Sequence, residues 1–459
     1  MSRSEQGFAL VGGTIIDGCG GEPLQDGVVV VEGNRIVAVG PRHCVPINSE
    51  VQRVDATGKF ILPGLIDIHV HYQGWMGELF LSHGVTTVKD MGNDVEWISS
   101  ISADVNEGKV RGPRIYYVGN GLDAPPPFRE HHVGLQSPEA AKKAVELLYE
   151  RGAAAIKVRE KITPGLLQAV CERAHELGIR VTGHIAHTDA YAAALAGIDG
   201  LEHATGVVDA TAVRTRRSEP GLSDLQQFID ELKAFSLINL DRVDKLIELL
   251  VREDVALIPT MANWWRMAME RRKEFASEDA IYADNPALAY IPPMTREFLT
   301  HPLIFEVQNA DDLAQVCSGF EKLLVVLQRH YHAGGKVLAG SDTIYSVPGV
   351  SLLRELIVLV DAGFTPMQTL LMATRDNAAF LGKADELGTI EPGKLADIVV
   401  VSADPLEKID HIRQIDLVIK DGQIVDRSYH ADYSIATPEP KLTRPLWLER
   451  QLASCIDSL

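Results

Sequence analysis

Between residues 65 and 342, short apolar runs alternate with longer segments of helical periodicity, and several of the runs carry a polar residue at or near their C-terminal end. Eight such runs are LIDIHV (65–70), TTVKDM (86–91), RIYYVG (114–119), AAIKV (154–158), RVTGHI (180–185), DGLEHA (199–204), ALIPTM (256–261) and KVLAGSD (336–342). The segments PEAAKKAVELLYERG, PGLLQAVCERAHELG and TDAYAAALAG carry apolar residues at helical spacing and stop at Gly, a common helix C-terminal signal. Alternation of this kind predicts βα units, arranged as a parallel barrel or an open sheet. The 459 residues suffice for a barrel of about 250 residues plus additional elements.

Both ends of the chain have a different texture. FALVGGTIIDG, GVVVVEGNRIVAVG and VQRVDATGKFILPG are β-branched runs cut by Gly, Asp and Asn, the second reading as a hairpin that turns at Glu32-Gly33-Asn34. LGTIEPGKLADIVVVSADP and IDLVIKDGQIVD repeat that texture near the C-terminus, which predicts a small sheet domain built from both ends. Two stretches exceed what a βα connection needs, 206–245 and 262–322. The second holds Trp264, Trp265, Phe275, Tyr282, Tyr290, Phe298 and Phe305. Such insertions serve as lids and binding elements, or pack on the barrel flank or a second subunit.

The formal charge of −19 repels phosphate backbones and argues against nucleic acid as a partner. Cys19, Cys44, Cys171, Cys317 and Cys455 are far apart and form no CxxC pair, so reduced thiols are expected rather than a thiolate metal site. The N-terminal segment has no apolar core of signal-peptide length, and no run approaches the roughly 18 residues of a membrane span. A cytoplasmic protein with no membrane partner is expected.

His69 and His71 are two apart, so on a strand both imidazoles face one side and can share an ion. Alone, such a pair is as well explained by packing. Lys157, His184, His203 and Asp342 change its weight, because each falls at the C-terminal end of a separate predicted strand. In a (β/α)8 barrel those ends converge on one mouth, where the chemistry is found. Singly, His203 reads as a core histidine, Asp342 as a helix cap and Lys157 as a surface lysine. As a set they predict a metal site.

FILPGLIDIHVH, AAIKV, VTGHI, GLEH, LAGSD and LGTIEPGKLADIVVVSADPL together resemble the amidohydrolase superfamily, in particular its prolidase-like and imidazolonepropionase-like branch. The resemblance covers roughly residues 8–427 and extends to phenylurea and thiocarbamate hydrolases. It implies a (β/α)8 TIM barrel over 63–386, a small β-sandwich domain from 1–62 plus 387–427, and a C-terminal tail over 428–459. It implies two divalent metal ions, with His69, His71 and Asp342 on the more buried one and His184 and His203 on the second. Lys157 would be carboxylated by CO2 and bridge them. A carbamate is an anionic, bidentate ligand, whereas an ammonium beside two cations is repelled. Nitrogen and oxygen ligands fit Zn²⁺, with Mn²⁺ or Co²⁺ compatible. Two such ions polarise a scissile carbonyl and activate water. Asp342 would take the water's proton and deliver it to the leaving group.

The implied activity is hydrolysis of an amide, urea, carbamate or similar C–N bond in a small molecule, with an apolar or aromatic substrate favoured by Trp264 and Trp265. Substrate contacts are expected from Tyr72 after the first motif, His131 and His132 in the loop NGLDAPPPFREHHVG, Trp264, and Tyr345 after Asp342. Arg159 is a further candidate, or a rim salt bridge. Alternatives are a prolidase-type dipeptidase or N-acyl amino acid hydrolase, and a cyclic-amide hydrolase or deaminase. Deaminases of the superfamily carry HxE after the fifth strand, where this chain reads His184-Ile185-Ala186. His187 is a second choice for the ligand at His184. A non-catalytic scaffold is the remaining reading, against which stand six intact candidate ligands. Relatives of this kind form homo-oligomers, and Trp447 lies in a tail suited to docking on a neighbour.

Overall fold

The computed structural model describes residues 7–129, 131–212, 224–264, 271–301, 307, 309–343 and 346–435. Trp265, Phe305, Tyr345, Trp447 and Cys455 lie outside the described residues.

The N-terminal strands are β1 (Phe8–Ile15), β2 (Leu24–Glu32), β3 (Arg35–Pro41), β4 (Gln52–Asp55) and β5 (Phe60–Pro63). The central part contains β6 (Leu65–Val70), β7 (Val85–Asp90), β8 (Arg114–Tyr117), β9 (Leu122–Asp123), β10 (Val133–Gly134), β11 (Ala155–Val158), β12 (Arg180–Gly183), β13 (Gly200–Glu202) and β14 (Ala256–Ile258). β15 (Ile398–Val401), β16 (Ile415–Lys420) and β17 (Gln423–Ile424) follow.

The two chain ends join in one mixed sheet of order β17-β16-β15-β5-β1-β2-β3, with β4 paired in parallel to β1. β15 runs antiparallel to β5, Ile398 opposite Pro63 and Val401 opposite Phe60. Alternation along the strands puts Phe8, Leu10, Val29 and Val31 into one apolar cluster and Ala9, Val11, Val28 and Val30 into another. Both faces are therefore covered, and each fully buried Val, Leu or Ile contributes roughly 1.5–3 kcal/mol.

The central strands form two parallel sheets, β6-β7-β8 and β10-β9-β11-β12-β13-β14. β6, β7 and β11 are buried along their whole length with no alternation of exposure, as expected of strands covered on both faces. Ala154 N donates to Tyr117 O at 2.8 Å across the gap between β8 and β11. The segment 336–343 makes parallel bridges to both outer strands, Val70 to Thr343 and Leu257 to Val337. Asn377 donates from Nδ2 to Ile66 O and Ala339 O, each at 2.7 Å, and clamps that segment against β6. Gly340 lies so close to β6 that a Cβ there would stand 2.8 Å from His69 Cβ.

Helices cover the outside: Val95–Asn106, Pro138–Glu150, Pro164–Glu176 and Leu240–Arg252 follow strands, with Asp94, Ser137 and Asn239 accepting from N-terminal backbone N–H groups of three of them. β5 passes into β6 through Gly64, where a Cβ would lie 2.3 Å from Thr86 Oγ1. Arg114 of β8 pairs with Asp397 at 2.6 Å and with Asp421, which fastens the end-built sheet to the parallel strands.

The two insertions pack on each other. The helix Asp224–Ala234 and Phe235 lie against Trp264 and the long helix Ala310–His332, with Trp264 between Phe235 (centroids 5.5 Å) and Phe320 (5.6 Å). The long helix begins inside the second insertion, so that insertion is shorter than its sequence suggests. Residues 428–435 dock on their own chain: His430 Nδ1 pairs with Glu78 at 2.6 Å and Tyr433 Oη donates to Arg111 O at 2.8 Å. Cys19, Cys44, Cys171 and Cys317 are free thiols. Among the described residues no helix is long and apolar enough to cross a membrane.

Candidate metal centre

β6 ends at Val70, and its alternation turns His69 inward together with Asp67 and with His71 just beyond. His69, Lys157 and Glu202 are fully buried, whereas His71, His184, His203 and Asp342 are partly exposed. The cluster therefore has a sealed back and an open front. Asp342 Oδ1 lies 3.4 Å from His69 Nε2 and 3.3 Å from His71 Nε2, and the ligand atoms of these three residues are all within 4.8 Å of one another. The His203 ring stands between those of His69 and His184, with centroids 4.8 Å from each. Lys157 Nζ is 3.8 Å from Glu202 Oε1 and has no hydrogen-bond partner. The six residues singled out in the sequence as ligands thus come from five segments to one cluster. His187 is exposed, and its backbone N–H is bonded to Glu160 O.

Hydrogen bonding sets the tautomers. His69 Nδ1 is 2.6 Å from the Glu202 carboxylate, which only accepts, so Nδ1 carries the proton and Nε2 faces His71 and Asp342. Thr260 Oγ1 donates to Pro259 O at 2.8 Å. It must therefore accept from His203 Nδ1 at 2.6 Å, which leaves the His203 Nε2 lone pair available. His184 Nε2 lies 3.1 Å from Glu231 Oε1, so its lone pair is on Nδ1.

Burial opposes a charge on His69, but Glu202 and Asp342 outweigh it and raise the ring's basicity. Burial also opposes ionisation of Asp342, yet His203, His69 and His71 hold its carboxyl well below the usual range. Burial lowers His71, and lowers His203 strongly, which keeps both neutral as ligands must be. Burial brings Lys157 down to about 7, reinforced by Arg159 and Lys89 and opposed by Glu202. A neutral amine is the form that takes up CO2.

The backbone is strained here. His203, Ala204, Thr260 and Asp342 have φ of +57°, +53°, +49° and +46°, a region that costs non-glycine residues energy and is rare for a β-branched Thr. At His203 the consequence is visible. Adjacent strand residues face opposite sides, but the left-handed turn lets both Glu202 and His203 reach His69. Behind the cluster, Asp67 Oδ1 accepts from Ser341 N at 2.9 Å and His69 N at 3.3 Å, and its Oδ2 from Ser341 Oγ at 2.5 Å. Thr343 and Ser351 continue this chain of bonds, each link 2.5 Å. It holds the strand ends bearing His69 and Asp342 in register.

The substrate candidates separate into two groups. His131 and His132 lie at the mouth, ring centroids 4.4 Å apart. Burial lowers both, His131 to about 4 and His132 further, with Arg159 and His71 adding to the effect. Tyr72 is instead buried in the flank against Phe80, and Trp264 is buried in the packing of the insertions. Both rings are thus engaged in core packing. Tyr345 lies outside the described residues. Arg159 forms a two-pronged bond to Glu160, at 2.6 and 3.2 Å, and is a rim salt bridge.

Sequence reasoning missed Glu202, Thr260, Asp67 and Glu231. Asp67 shares the parity of His69 and was open to detection; the others depend on contacts between distant segments. A second group, Asp123, His132 and Glu160, also has metal-ligating atoms within 4.8 Å. There Asp123 accepts three backbone N–H groups and Glu160 is engaged by Arg159, so the group reads as a loop anchor.

The amidohydrolase family model matches residues 60–218 and 321–425, more than half of the chain. The chain belongs to the amidohydrolase family. Among curated proteins it is similar to the 5-methylthioadenosine/S-adenosylhomocysteine deaminase of Symbiobacterium thermophilum, 29% identical over 108 residues, 21% of this chain and 25% of that protein. The similarity thus spans a quarter of that relative's length. Among solved structures it shares its fold with an Xaa-Pro dipeptidase with methionine bound in the active site (22% identity, 92% of this chain and 100% of that one, TM-score 0.65). It also shares it with phenylurea hydrolase B (19% identity, 95% and 100% coverage, TM-score 0.67).

Proposed function

We propose that this protein is a metal-dependent hydrolase of a C–N bond, in an amide, urea, carbamate or related small molecule. The observation that carries the reading is the meeting of His69, His71, Lys157, His184, His203 and Asp342, with the lone pairs of three imidazoles set by acceptors at 2.6–3.1 Å. These residues fit two divalent ions, Zn²⁺ by the nitrogen and oxygen donor set. His69, His71 and Asp342 would hold one, His184 and His203 the other, and Lys157, carboxylated on Nζ, would bridge. Such ions supply Lewis-acid polarisation of the scissile carbonyl and lower the pKa of water. Asp342, held ionised by three histidines, accepts the proton of the attacking water and passes it to the leaving nitrogen.

The fold reading extends with it. The bridges of 336–343 to β6 and β14, and the bond from Ala154 to Tyr117, support a closed (β/α)8 barrel over 63–386. The apolar clusters on both faces of the end-built sheet support a small sandwich domain from 1–62 plus 387–427.

For the substrate we keep an apolar or aromatic class, as for phenylurea hydrolase B by its name. The likeness to an Xaa-Pro dipeptidase makes a dipeptide the second reading. Deamination is disfavoured by Ala186, which stands where the HxE pattern places a carboxylate. Metal analysis of the purified protein tests the centre: two equivalents per chain are expected, falling to one or fewer in Lys157→Ala. One equivalent unaffected by that change would sink the bridged pair. Turnover of phenylureas, carbamates, N-acyl amino acids and dipeptides tests the bond, and a preference for charged dipeptides would refute the apolar class.

A further inference from the structure

Among the described residues, the insertion between β13 and β14 reaches the metal centre through Glu231. Glu231, on the helix Asp224–Ala234, places Oε1 at 3.1 Å from His184 Nε2. The amidohydrolase family model matches His184 but leaves residues 219–320 unmatched, so this carboxylate belongs to the part of the chain outside that match. The helix is well seated. Ile229 and Leu232 are buried. Lys233 pairs with Asp312 at 2.7 Å, and Gly319 lies so close to Leu232 that a Cβ would stand 2.8 Å from its carbonyl oxygen. Lys322 Nζ donates to Ser236 O and Ile238 O at 2.5 and 2.9 Å, holding the following turn.

We infer that Glu231 is a positioning residue for the metal centre, accepting the Nε2 proton of His184 so that Nδ1 is presented to an ion, and that it thereby couples docking of the inserted helix to metal binding. This rests on the reading of His184 as a ligand. The chemistry is that of a carboxylate–histidine–metal relay: the carboxylate selects the tautomer, fixes the ring's orientation and raises its basicity as a donor. Glu202 does the same for His69 from within the strands; Glu231 does it from an added element. Linkage makes the effect reciprocal, since whatever the helix contributes to ion affinity, the ion returns to docking of the helix.

The test uses the full-length protein and Zn²⁺ alone, with affinity for each equivalent read by competition against a chromophoric chelator. Glu231→Ala should weaken one of the two equivalents by about ten- to a hundred-fold and leave the other unchanged. Glu231→Gln, which keeps an acceptor but not the charge, should fall between it and the wild type. Hydrogen exchange of residues 224–234 should slow on adding Zn²⁺ to the wild type and not in Glu231→Ala. A merely structural side chain would alter exchange without altering affinity. If His184→Ala loses an equivalent while Glu231→Ala binds both normally, the inference is overturned and the metal centre stands. If His184→Ala also binds both normally, His184 is no ligand and both fall.

Discussion

His69 donates its Nδ1 proton to Glu202 across 2.6 Å, and neither side chain has any solvent exposure. Glu202 also faces two buried lysines, Lys157 at 3.8 Å and Lys89 at 3.9 Å. Burial alone would raise this carboxyl, yet Lys157, His69 and Lys89 hold it well below the usual range. One carboxylate therefore orients a ligand and balances the charge beneath the site.

Glu202→Gln should weaken metal binding by about ten- to a hundred-fold, because an amide orients His69 without the charge that strengthens it. Glu202→Leu should also lower stability by roughly 3–5 kcal/mol, since it leaves the buried Lys89 without its partner. Chelator competition and thermal denaturation separate the two effects, and unchanged metal affinity in both variants would refute the orienting role.

Thr260→Val removes the acceptor for His203 Nδ1–H while keeping the shape of the side chain. The imidazole can then change tautomer and present N–H to the site. Loss of affinity for one metal equivalent is expected, with the fold intact by circular dichroism.

Glu355 provides a pH test from a buried carboxyl outside the proposed ligand set, though near Asp67 and Asp342. Burial is the main cause that pushes its carboxyl up to about 8, against an ordinary value of 4.5. Below about 4.5 the group is protonated in both folded and unfolded chains. As pH rises from there to about 8 the unfolded chain gains from ionising and the folded one does not, so stability falls, by roughly 3 kcal/mol at pH 7. Glu355→Gln cannot ionise. Its melting temperature relative to wild type should climb between pH 5 and 8 and level off above; a flat difference would show that Glu355 is already charged.

Trp264→Ala should cost about 3–5 kcal/mol of stability, as the ring is buried between Phe235 and Phe320. Metal content should not change. Full stability with impaired substrate binding would instead return Trp264 to the pocket wall.

Much of the scaffold was legible because it rests on local pattern. The run LIDIHV is β6 residue for residue, five of the others extend past the C-terminal end of the observed strand, AAIKV ends with β11, and KVLAGSD, expected as an eighth strand, makes only isolated bridges. Those overruns matter: His184, His203 and Thr260 lie just beyond their strands, where the chain turns and alternation no longer governs side-chain direction.

The sequence by itself determined which residue types end the central strands, and so the six candidate ligands, because period-two alternation and helical spacing are properties of neighbours along the chain. It determined the hairpin at Gly33-Asn34 and the acidic charge for the same reason. Only the tertiary structure decided what holds those ligands. Glu202 on His69, Thr260 on His203, Glu231 on His184 and Asp67 on Ser341 join residues 133, 57, 47 and 274 positions apart. Hydrogen-bond partners at such separations follow from how the strands and the inserted helices pack, and no periodicity records them. The same packing buried Trp264 and Tyr72 among other rings, since an aromatic ring goes wherever most apolar surface can be covered.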